Sequence, residues 1–318
     1  MYRVVFFGTE AFAVKILESL VNNAADFSVV GVVTQPARPV GRKQILTASP
    51  VAEYAAAHGL ETVTPTTLKN ASIAEQLATY AADVFVVAQY GMIIPQAILD
   101  IPAHGAINVH ASLLPRHRGA SPVHTAILSG DAITGVTFMK MDALMDHGDL
   151  FAEYQLPIAT DDTTESLMNK LAEISAAHFP SDLKNLLDGT ISATPQNHTD
   201  ATGTKMLTRE SGFVAWETMD AALIERMTRA FYPWPGVSIQ VDDAIFKIIK
   251  AHTADAADGE PGTLHISGKD LSVATIHGQL IVDEIQPAGK SSMTGAQFAN
   301  GYKQLDGKKC TTMSASSK

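Results

Sequence analysis

The sequence contains one cysteine, comparatively few basic residues and no long hydrophobic segment. Cys310 has no second cysteine with which to form a disulfide or a cysteine-based metal cluster, which is typical of a protein from a reducing cytoplasm. Polar residues interrupt every apolar stretch before the roughly 18–20 residues that a membrane-spanning helix needs. We therefore expect a cytoplasmic protein with no membrane partner.

Acidic residues outnumber basic ones, 33 against 23, so the formal net charge is −10. Broad, non-specific binding to nucleic acid requires clustered cations that neutralise phosphates, and this balance argues against it. Residues 1–205 carry 12 basic and 20 acidic residues, a balance of −8, whereas residues 206–318 carry 11 and 13, a balance of −2. A polyanionic partner would therefore have to be bound by local patches.

The remaining composition is that of a globular protein. The chain is 46% hydrophobic and 18% charged, and its 318 residues fit about two domains of ordinary size. The apolar run at the N-terminus leads into Gly8-Thr9-Glu10 and not into a small-residue cleavage site. This pattern predicts a buried first strand in place of a signal peptide.

Short apolar segments alternate with helical patterns in the first half of the chain. Strands are predicted at residues 3–8, 27–34, 83–88, 106–109, 135–141 and 150–158. Helices are predicted at 11–21, after Ser49-Pro50, at 95–99, 122–128 and 163–187, the last with Asp162 as N-cap and Glu165 three residues on. This alternation predicts a doubly wound, mostly parallel α/β sheet, whose ligand crevice lies beyond the carboxyl ends of its strands.

The second half has a different texture. Residues 188–207 are polar and rich in turn-forming residues, which predicts a linker. After a helix near residues 218–231, short strands are predicted at 237–241, 244–251, 263–266, 271–275 and 279–285. We expect an α/β domain at 1–187, a linker at 188–207 and a smaller OB-like β-barrel domain at 208–318.

Asn108 and His110 form the most informative pair. They are two residues apart on a predicted strand, so they share one face, and they stand at the strand end where the crevice is expected. A carboxamide donor beside an imidazole suits the stabilisation of an oxyanion during acyl transfer. On spacing alone, however, an ordinary strand end is the more common explanation of such a pair.

A second polar segment, residues 141–149, lies between two predicted strands. Gly148 permits an unusual turn there, and Asp146 can orient His110 or relay a proton from an attacking amine. A solvated acidic turn is the alternative. His147 and Asp149 show no regular ligand spacing, so we expect no metal site.

Three further segments bear on ligands. Residues 88–95 extend a strand into an apolar loop that suits a flat heterocycle, although core packing explains them almost as well. Residues 35–43 are a proline-stiffened loop whose cations, Arg38, Arg42 and Lys43, can reach a phosphate backbone, and a solvated loop is the alternative. The Gly8 turn lacks both a G-x-G-x-x-G pattern and a Walker lysine, which argues against a nucleotide site.

Together these segments resemble the folate-dependent formyltransferase family over nearly the whole chain. The segment Asn108-x-His110-x-Ser112-Leu113-Leu114-Pro115, followed by Asp146-x-Gly148-Asp149, is similar to the signature of the whole class, which includes glycinamide ribonucleotide and sugar-nucleotide formyltransferases. Residues 34–42, 229–235 and 286–290 resemble segments of the methionyl-tRNA branch. His117 departs from the pattern, because the family often has tryptophan there, and the C-terminal part is less basic than usual.

The resemblance implies an enzyme that transfers a formyl group from 10-formyltetrahydrofolate to the α-amine of initiator methionyl-tRNA for translation initiation. We also expect the protein to be a monomer that uses no metal. It assigns oxyanion stabilisation to Asn108 and protonated His110, and it assigns imidazole orientation and amine deprotonation to Asp146. An amino-sugar nucleotide is the alternative acceptor. A folate- or RNA-binding protein without catalysis is a third hypothesis, which the intact trio argues against.

The same resemblance implies two binding segments for the folate and one for tRNA. The folate residues are Tyr90, Gly91, Met92, Ile93, Ser112, Leu113, Leu114 and Pro115. The tRNA residues are Arg38, Arg42 and Lys43.

Overall fold

The chain forms two compact units in the computed structural model, which describes residues 1–41, 43–255 and 259–313. The first unit comprises Met1–Pro122, Ile133–Pro157 and Met168–Lys205, and the second comprises Val123–Ala132, Ile158–Leu167 and Met206–Lys318. Within the described ranges, none of the helices has the length and apolar character needed to cross a membrane.

A seven-stranded sheet organises the first unit. The strands in chain order are β1 (Tyr2–Gly8), β2 (Phe27–Val33), β3 (Arg38–Val40), β4 (Ile45–Thr47), β5 (Thr62–Val63), β6 (Val84–Ala88), β7 (Ala106–His110), β8 (Ile133–Lys140) and β9 (Leu150–Pro157). The sheet order is β5-β2-β1-β6-β7-β8-β9, with parallel pairing from β5 to β7 and antiparallel pairing from β7 to β9. The prediction of a doubly wound, mostly parallel sheet is therefore confirmed.

The helices between residues 1 and 187 are α1 (Ala11–Asn22), α2 (Pro50–Ala57), α3 (Ala71–Thr79), α4 (Gln96–Leu99), α5 (Pro122–Ser129) and α6 (Thr164–Leu187). Strands β1 and β6 are continuous apolar runs because they lie in the middle of the sheet, where Val4 to Phe7 and all of β6 are buried. Helix α2 begins as expected, since the Ser49 hydroxyl accepts a hydrogen bond from the Ala52 amide at 3.0 Å.

Two local predictions were wrong. Helix α6 is capped by Thr163, whose hydroxyl accepts from the Ser166 amide at 3.2 Å while the Ser166 hydroxyl accepts from the Thr163 amide at 3.0 Å. Asp162 instead accepts from the Ala159 amide in the preceding turn. The basic segment is also not a plain loop, because β3 and β4 pair as a separate antiparallel hairpin.

The second unit is built on an antiparallel sheet. Its elements are α7 (Ala221–Ala230), β10 (Val237–Val241), β11 (Ala244–Ala254), β12 (Leu264–Ser267), β13 (Asp270–Ala274), β14 (Gln279–Pro287), β15 (Met293–Thr294), α8 (Gly295–Gly301) and β16 (Cys310–Thr311). The sheet order is β12-β13-β14-β11-β10-β16, and β15 pairs with β14. A bridge between Thr263 and Lys309 brings the last strand back to the first, so the sheet is nearly closed and the predicted small barrel is confirmed.

Candidate active site

Strand β7 presents Asn108 and His110 on one face. Its neighbour β6 runs parallel to it, with Val87 opposite Asn108, so both strands end at the same edge of the sheet. On its other side β7 pairs with the antiparallel β8, where Thr137 stands opposite His110. His110 is only 6% exposed, which fixes its imidazole in a largely dry environment.

The loop between β8 and β9 brings Asp146 to this pair. The loop leaves β8 level with the start of β7, since the Met141 amide donates to the Ala106 carbonyl at 2.8 Å. Asp146 has a left-handed backbone, with φ of 51°, which is uncommon for a residue with a side chain. At Gly148 an added Cβ would overlap the Lys140 carbonyl oxygen, so only glycine fits there. The turn that the glycine was expected to permit is therefore a close backbone approach.

The three polar side chains meet at one carboxylate oxygen. Asp146 Oδ1 lies 3.4 Å from Asn108 Nδ2 and 3.6 Å from His110 Nδ1. The other oxygen, Oδ2, accepts a hydrogen bond from the Gly119 amide at 2.7 Å. The structure thus brings together all three residues of the predicted trio, and the distances to Oδ1 leave both donors only loosely engaged before a substrate binds.

The contact of the second ring nitrogen of His110, Nε2, determines which nitrogen of the imidazole carries a hydrogen. Nε2 lies 3.2 Å from the His117 carbonyl oxygen, and because a carbonyl can only accept, Nε2 must be the donor. Nδ1 then faces Asp146, where a second hydrogen would point at a carboxylate. This arrangement accommodates the imidazolium that the predicted mechanism requires.

The first predicted folate segment follows β6. Tyr90 is 2% exposed and packs edge-on against Phe7, and burial raises the pKa of its hydroxyl to about 12. Its carbonyl accepts hydrogen bonds from Thr9 Oγ1 at 2.9 Å and Gln35 Nε2 at 2.7 Å. Tyr90 therefore anchors the segment. Of the three residues that follow Tyr90 in the chain, Gly91 and Ile93 are exposed and Met92 is half-buried.

The second predicted folate segment follows β7. The Ser112 hydroxyl is buried and donates to the Arg116 carbonyl at 2.8 Å, and the Leu114 amide donates to Thr137 Oγ1 at 3.1 Å. Leu113 and Pro115 are half-buried, whereas Leu114 is buried. The groups accessible to a ligand are thus mainly backbone and apolar side chains.

One buried polar atom beside these segments fits a ligand that donates hydrogen bonds. Gln35 is 5% exposed, and its Oε1 has no hydrogen-bond partner among the described residues. A buried acceptor left unsatisfied costs free energy, so an N–H group of a bound heterocycle would relieve that cost. Gln35 was not among the predicted site residues, because its role depends on Tyr90, which lies 55 residues away in the chain.

The segment at residues 190–205 also contributes to the site. It lies in the first unit, where Leu150 and Thr194 exchange backbone hydrogen bonds of 2.9 and 2.8 Å. The Thr202 hydroxyl accepts from the His117 amide at 2.9 Å. Between these anchors, Gln196 donates to the carbonyls of Asp146 and Gly148. Sequence reasoning missed this role, because polar composition indicates a turn-rich connection and carries no signal of distant partners.

Two of the three predicted tRNA residues lie on the β3–β4 hairpin and its turn. Arg38, on β3, and Lys43, in the turn, are both exposed. Arg42 lies outside the described residues. Val40, Ile45 and Leu46 add apolar surface to the same hairpin, each of them more than half exposed. Within the described part of the chain, no cluster of His, Cys, Asp or Glu side chains suited to a metal ion occurs.

The chain is similar to known proteins along its whole length. The sequence profile "Formyl transferase" matches residues 2–183, and "Formyl transferase, C-terminal domain" matches residues 206–303. A methionyl-tRNA formyltransferase of Roseiflexus sp. (strain RS-1) is 44% identical over 98% of this chain and 96% of its own length. One from Agathobacter rectalis is 40% identical over 94% of this chain and 96% of its own.

A solved structure shares the fold at much lower identity. The N-formyltransferase from Helicobacter canadensis, in complex with folinic acid and dTDP-3-aminofucose, has a TM-score of 0.66 at 18% identity. The match covers 90% of this chain and all of that one. Two matching domain profiles and full-length relatives at 40–44% identity lead to one assignment. The chain belongs to the formyl transferase family, in which these relatives are methionyl-tRNA formyltransferases.

Proposed function

We propose that this protein transfers the formyl group of 10-formyltetrahydrofolate to the α-amino group of methionyl-initiator tRNA. The observation that carries the proposal is the convergence of Asn108, His110 and Asp146 in a chain whose full-length relatives are methionyl-tRNA formyltransferases. The product, N-formylmethionyl-tRNA, serves translation initiation, which agrees with a cytoplasmic location.

Asn108 and His110 act on the charge that develops at the formyl oxygen. When the methionyl amine adds to the formyl carbon, the carbonyl oxygen becomes negatively charged. The Asn108 amide and the His110 imidazolium then donate to it from positions already set by β7, and the imidazolium does so by turning its Nδ1 hydrogen from the 3.6 Å contact with Asp146 towards the oxyanion. Each preorganised donor of this kind typically lowers the barrier by about 3 kcal/mol.

Asp146 acts on the proton of the amine and on the charge of the imidazole. As the new C–N bond forms, the attacking nitrogen must lose a proton, and the carboxylate beside Asn108 and His110 accepts it. The bond between the formyl carbon and the folate nitrogen then breaks, and that nitrogen leaves with the proton that the Asp146 carboxylate took from the amine. The Gly119 amide keeps the carboxylate oriented throughout.

The donor binds along residues 90–93 and 112–115 in this proposal. The exposed Ile93 and the half-buried Met92 and Leu113 supply apolar contacts for a flat ring system. The unsatisfied Gln35 Oε1 supplies an acceptor for a ring N–H group. These two features favour a folate over a purely ionic donor.

The acceptor tRNA is bound by two parts of the chain. Arg38, Arg42 and Lys43 contact phosphates, and a barrel domain at residues 208–318 supplies further contact surface. In this organisation residues 1–187 are the catalytic domain, and residues 188–207 are a linker whose Gln196 side chain also holds the Asp146 loop. We propose that the protein acts as a monomer and uses no metal ion.

A competition between acceptors tests this function. The purified protein would be given 10-formyltetrahydrofolate with either methionyl-initiator tRNA or a dTDP-amino sugar, and formylated product would be measured. The sugar is the second candidate because a sugar N-formyltransferase shares the fold over 90% of this chain. We expect at least about 100-fold higher kcat/KM for the tRNA, and preference for the sugar would overturn the acceptor assignment.

A further inference from the structure

Gln196 has a buried side chain in which both the amide nitrogen and the amide oxygen form hydrogen bonds. It is 6% exposed, and its Nε2 donates to the carbonyl oxygens of Asp146 at 2.9 Å and Gly148 at 2.8 Å. Its Oε1 accepts from Arg118 Nη2 at 2.6 Å. Both hydrogens of the amide therefore bind the loop that carries Asp146, and its oxygen binds the loop that follows β7.

The two carbonyls bound by Gln196 belong to a strained turn. Asp146 has a left-handed backbone, and Gly148 lies so close to Lys140 that no side chain fits there. A conformation of this kind persists only where the surroundings hold it. The Gln196 amide holds this turn through its backbone, because it donates to the carbonyl oxygens of the two residues that flank His147.

Arg118, which binds Gln196, is also linked to the Asp146 side chain through the next residue, Gly119. Arg118 precedes Gly119, whose amide donates to Asp146 Oδ2 at 2.7 Å. A second hydrogen bond from Arg118 Nη2, to His198 Nδ1 at 2.9 Å, ties the guanidinium to the residue two places after Gln196. Asp146 is thus fixed by its carbonyl and by its carboxylate to one connected set of groups.

The main chain on both sides of Gln196 is fixed as well. Before it, Thr194 pairs with Leu150 at the start of β9. After it, the Arg118 amide donates to the Thr202 carbonyl at 2.8 Å, and the Thr204 amide donates to the Arg118 carbonyl at 2.7 Å. Because the segment is held at both ends, the Gln196 amide has little freedom to follow a moving loop.

We propose that Gln196, held by Arg118, is a positioning residue that sets the place of the Asp146 carboxylate relative to Asn108 and His110. This inference rests on the proposed formyl transfer. It explains why an amide is needed, since two carbonyl oxygens require a neutral group with two hydrogens and Arg118 requires an acceptor. Glutamate would satisfy Arg118 but would turn a carboxylate oxygen towards the two carbonyls.

The first test compares Gln196→Leu with Gln155→Leu, the same change at an exposed position on β9. We expect Gln196→Leu to lower kcat by about 10- to 100-fold with little change in KM for either substrate, because displacements of about 1 Å have effects of this size. Gln196→Glu, which keeps the pairing with Arg118, should lower kcat in the same way if Gln196→Leu folds poorly. Wild-type kcat in both variants would overturn the inference.

A double-mutant cycle separates positioning from general loss of structure. If Gln196 acts through Asp146, then Gln196→Leu combined with Asp146→Asn should be no slower than Asp146→Asn alone. If the fold-losses in kcat of the two single variants multiply in the double variant, Gln196 acts on the fold independently of Asp146, which would contradict the inference.

A third measurement does not depend on turnover. The Gly119 amide, which donates to Asp146 Oδ2, should exchange its hydrogen at least about ten times faster in Gln196→Leu than in the wild type, whereas Gln155→Leu should leave it unchanged. If the wild type formylated neither acceptor, the proposed function would fail while this exchange rate still decided the positioning role. Unchanged exchange in Gln196→Leu would overturn that role, whatever the activity.

Discussion

The Asp146 loop, residues 141–149, and the β3–β4 hairpin, residues 38–47, are both short connections of the first unit, but they are held very differently. Asp146 is 13% exposed in its side chain and is bonded through both its carboxylate and its carbonyl. On the hairpin, Arg38, Lys43 and three large apolar side chains are exposed. A group that must meet a reacting atom needs fixed geometry, whereas a surface that meets a large partner needs accessibility. The proposed catalytic and tRNA-binding roles follow this division.

The largest expected effect comes from changing either of two members of the trio, His110 or Asp146. His110→Ala and Asp146→Asn should each lower kcat for methionyl-tRNA formylation by about 100- to 1,000-fold, because each deletes a preorganised charge or donor. The melting temperature serves as the control and should stay near the wild-type value for Asp146→Asn, which keeps the size of the side chain. Near-wild-type rates in either variant would contradict the mechanism.

Gly148→Ala should have the next largest effect. The new methyl group would overlap the Lys140 carbonyl, so the backbone of the Asp146 loop must shift. We expect a loss of about 1–3 kcal/mol in the free energy of unfolding, with a fall in kcat of about tenfold or more. Gly301→Ala is the matched control, because an added Cβ at Gly301 meets nothing within 4 Å. Equal denaturation midpoints for the two variants would show that the loop is not tightly held.

Charge removal in the basic segment, residues 35–43, should weaken tRNA binding and leave the chemistry intact. Arg38→Ala, Arg42→Ala and Lys43→Ala should each raise KM for tRNA by a few fold, and each should lower the salt dependence of tRNA use by about one unit of slope. Lys69→Ala, at another exposed lysine of the first unit, is the control. A fall in kcat without a change in KM would place these cations near the reaction and break the comparison.

The smallest effect is expected for the apolar surface of the hairpin. Leu46 is 69% exposed, so Leu46→Ser removes little buried area and should change the free energy of unfolding by less than about 0.5 kcal/mol. Leu114→Ser is the contrast, since Leu114 is 4% exposed and should cost about 2 kcal/mol or more. Chemical denaturation of both variants measures the difference. A large loss for Leu46→Ser would mean that the hairpin is packed as tightly as the site.

The sequence predicted best where a signal is local. Buried parallel strands are continuous apolar runs, as in Val84–Ala88. Val237–Val241, where a short strand was predicted, alternates between buried and half-buried residues. Asn108 and His110 share a face because a strand has a period of two. Helix α8, with glycine at both ends, and the three-residue strands of the hairpin are too short or too irregular for such patterns.

The contacts that sequence could not predict join distant parts of the chain. Gln196 is 50 residues from Asp146 and 78 from Arg118, and its own segment has a composition typical of a connection. The N-cap of α6 was misplaced by one residue because Asp162 and Thr163 are both good caps, and only the folded turn selects between them. The trio could be predicted as a motif, but the groups that hold it could not.

Residues 194–205 are hydrogen-bonded to Leu150 of β9 and to the loop after β7, and these contacts bear on where this protein can be divided. A fragment ending at residue 187 would keep every strand of that sheet and all three trio residues, yet it would lack the amide that holds the Asp146 turn. A fragment ending at Lys205 would retain it, together with the Thr202 and Thr204 pairings to the loop after β7. We expect chimaeras joined after Lys205 to keep the Asp146 turn, and chimaeras joined at residue 187 to lose it.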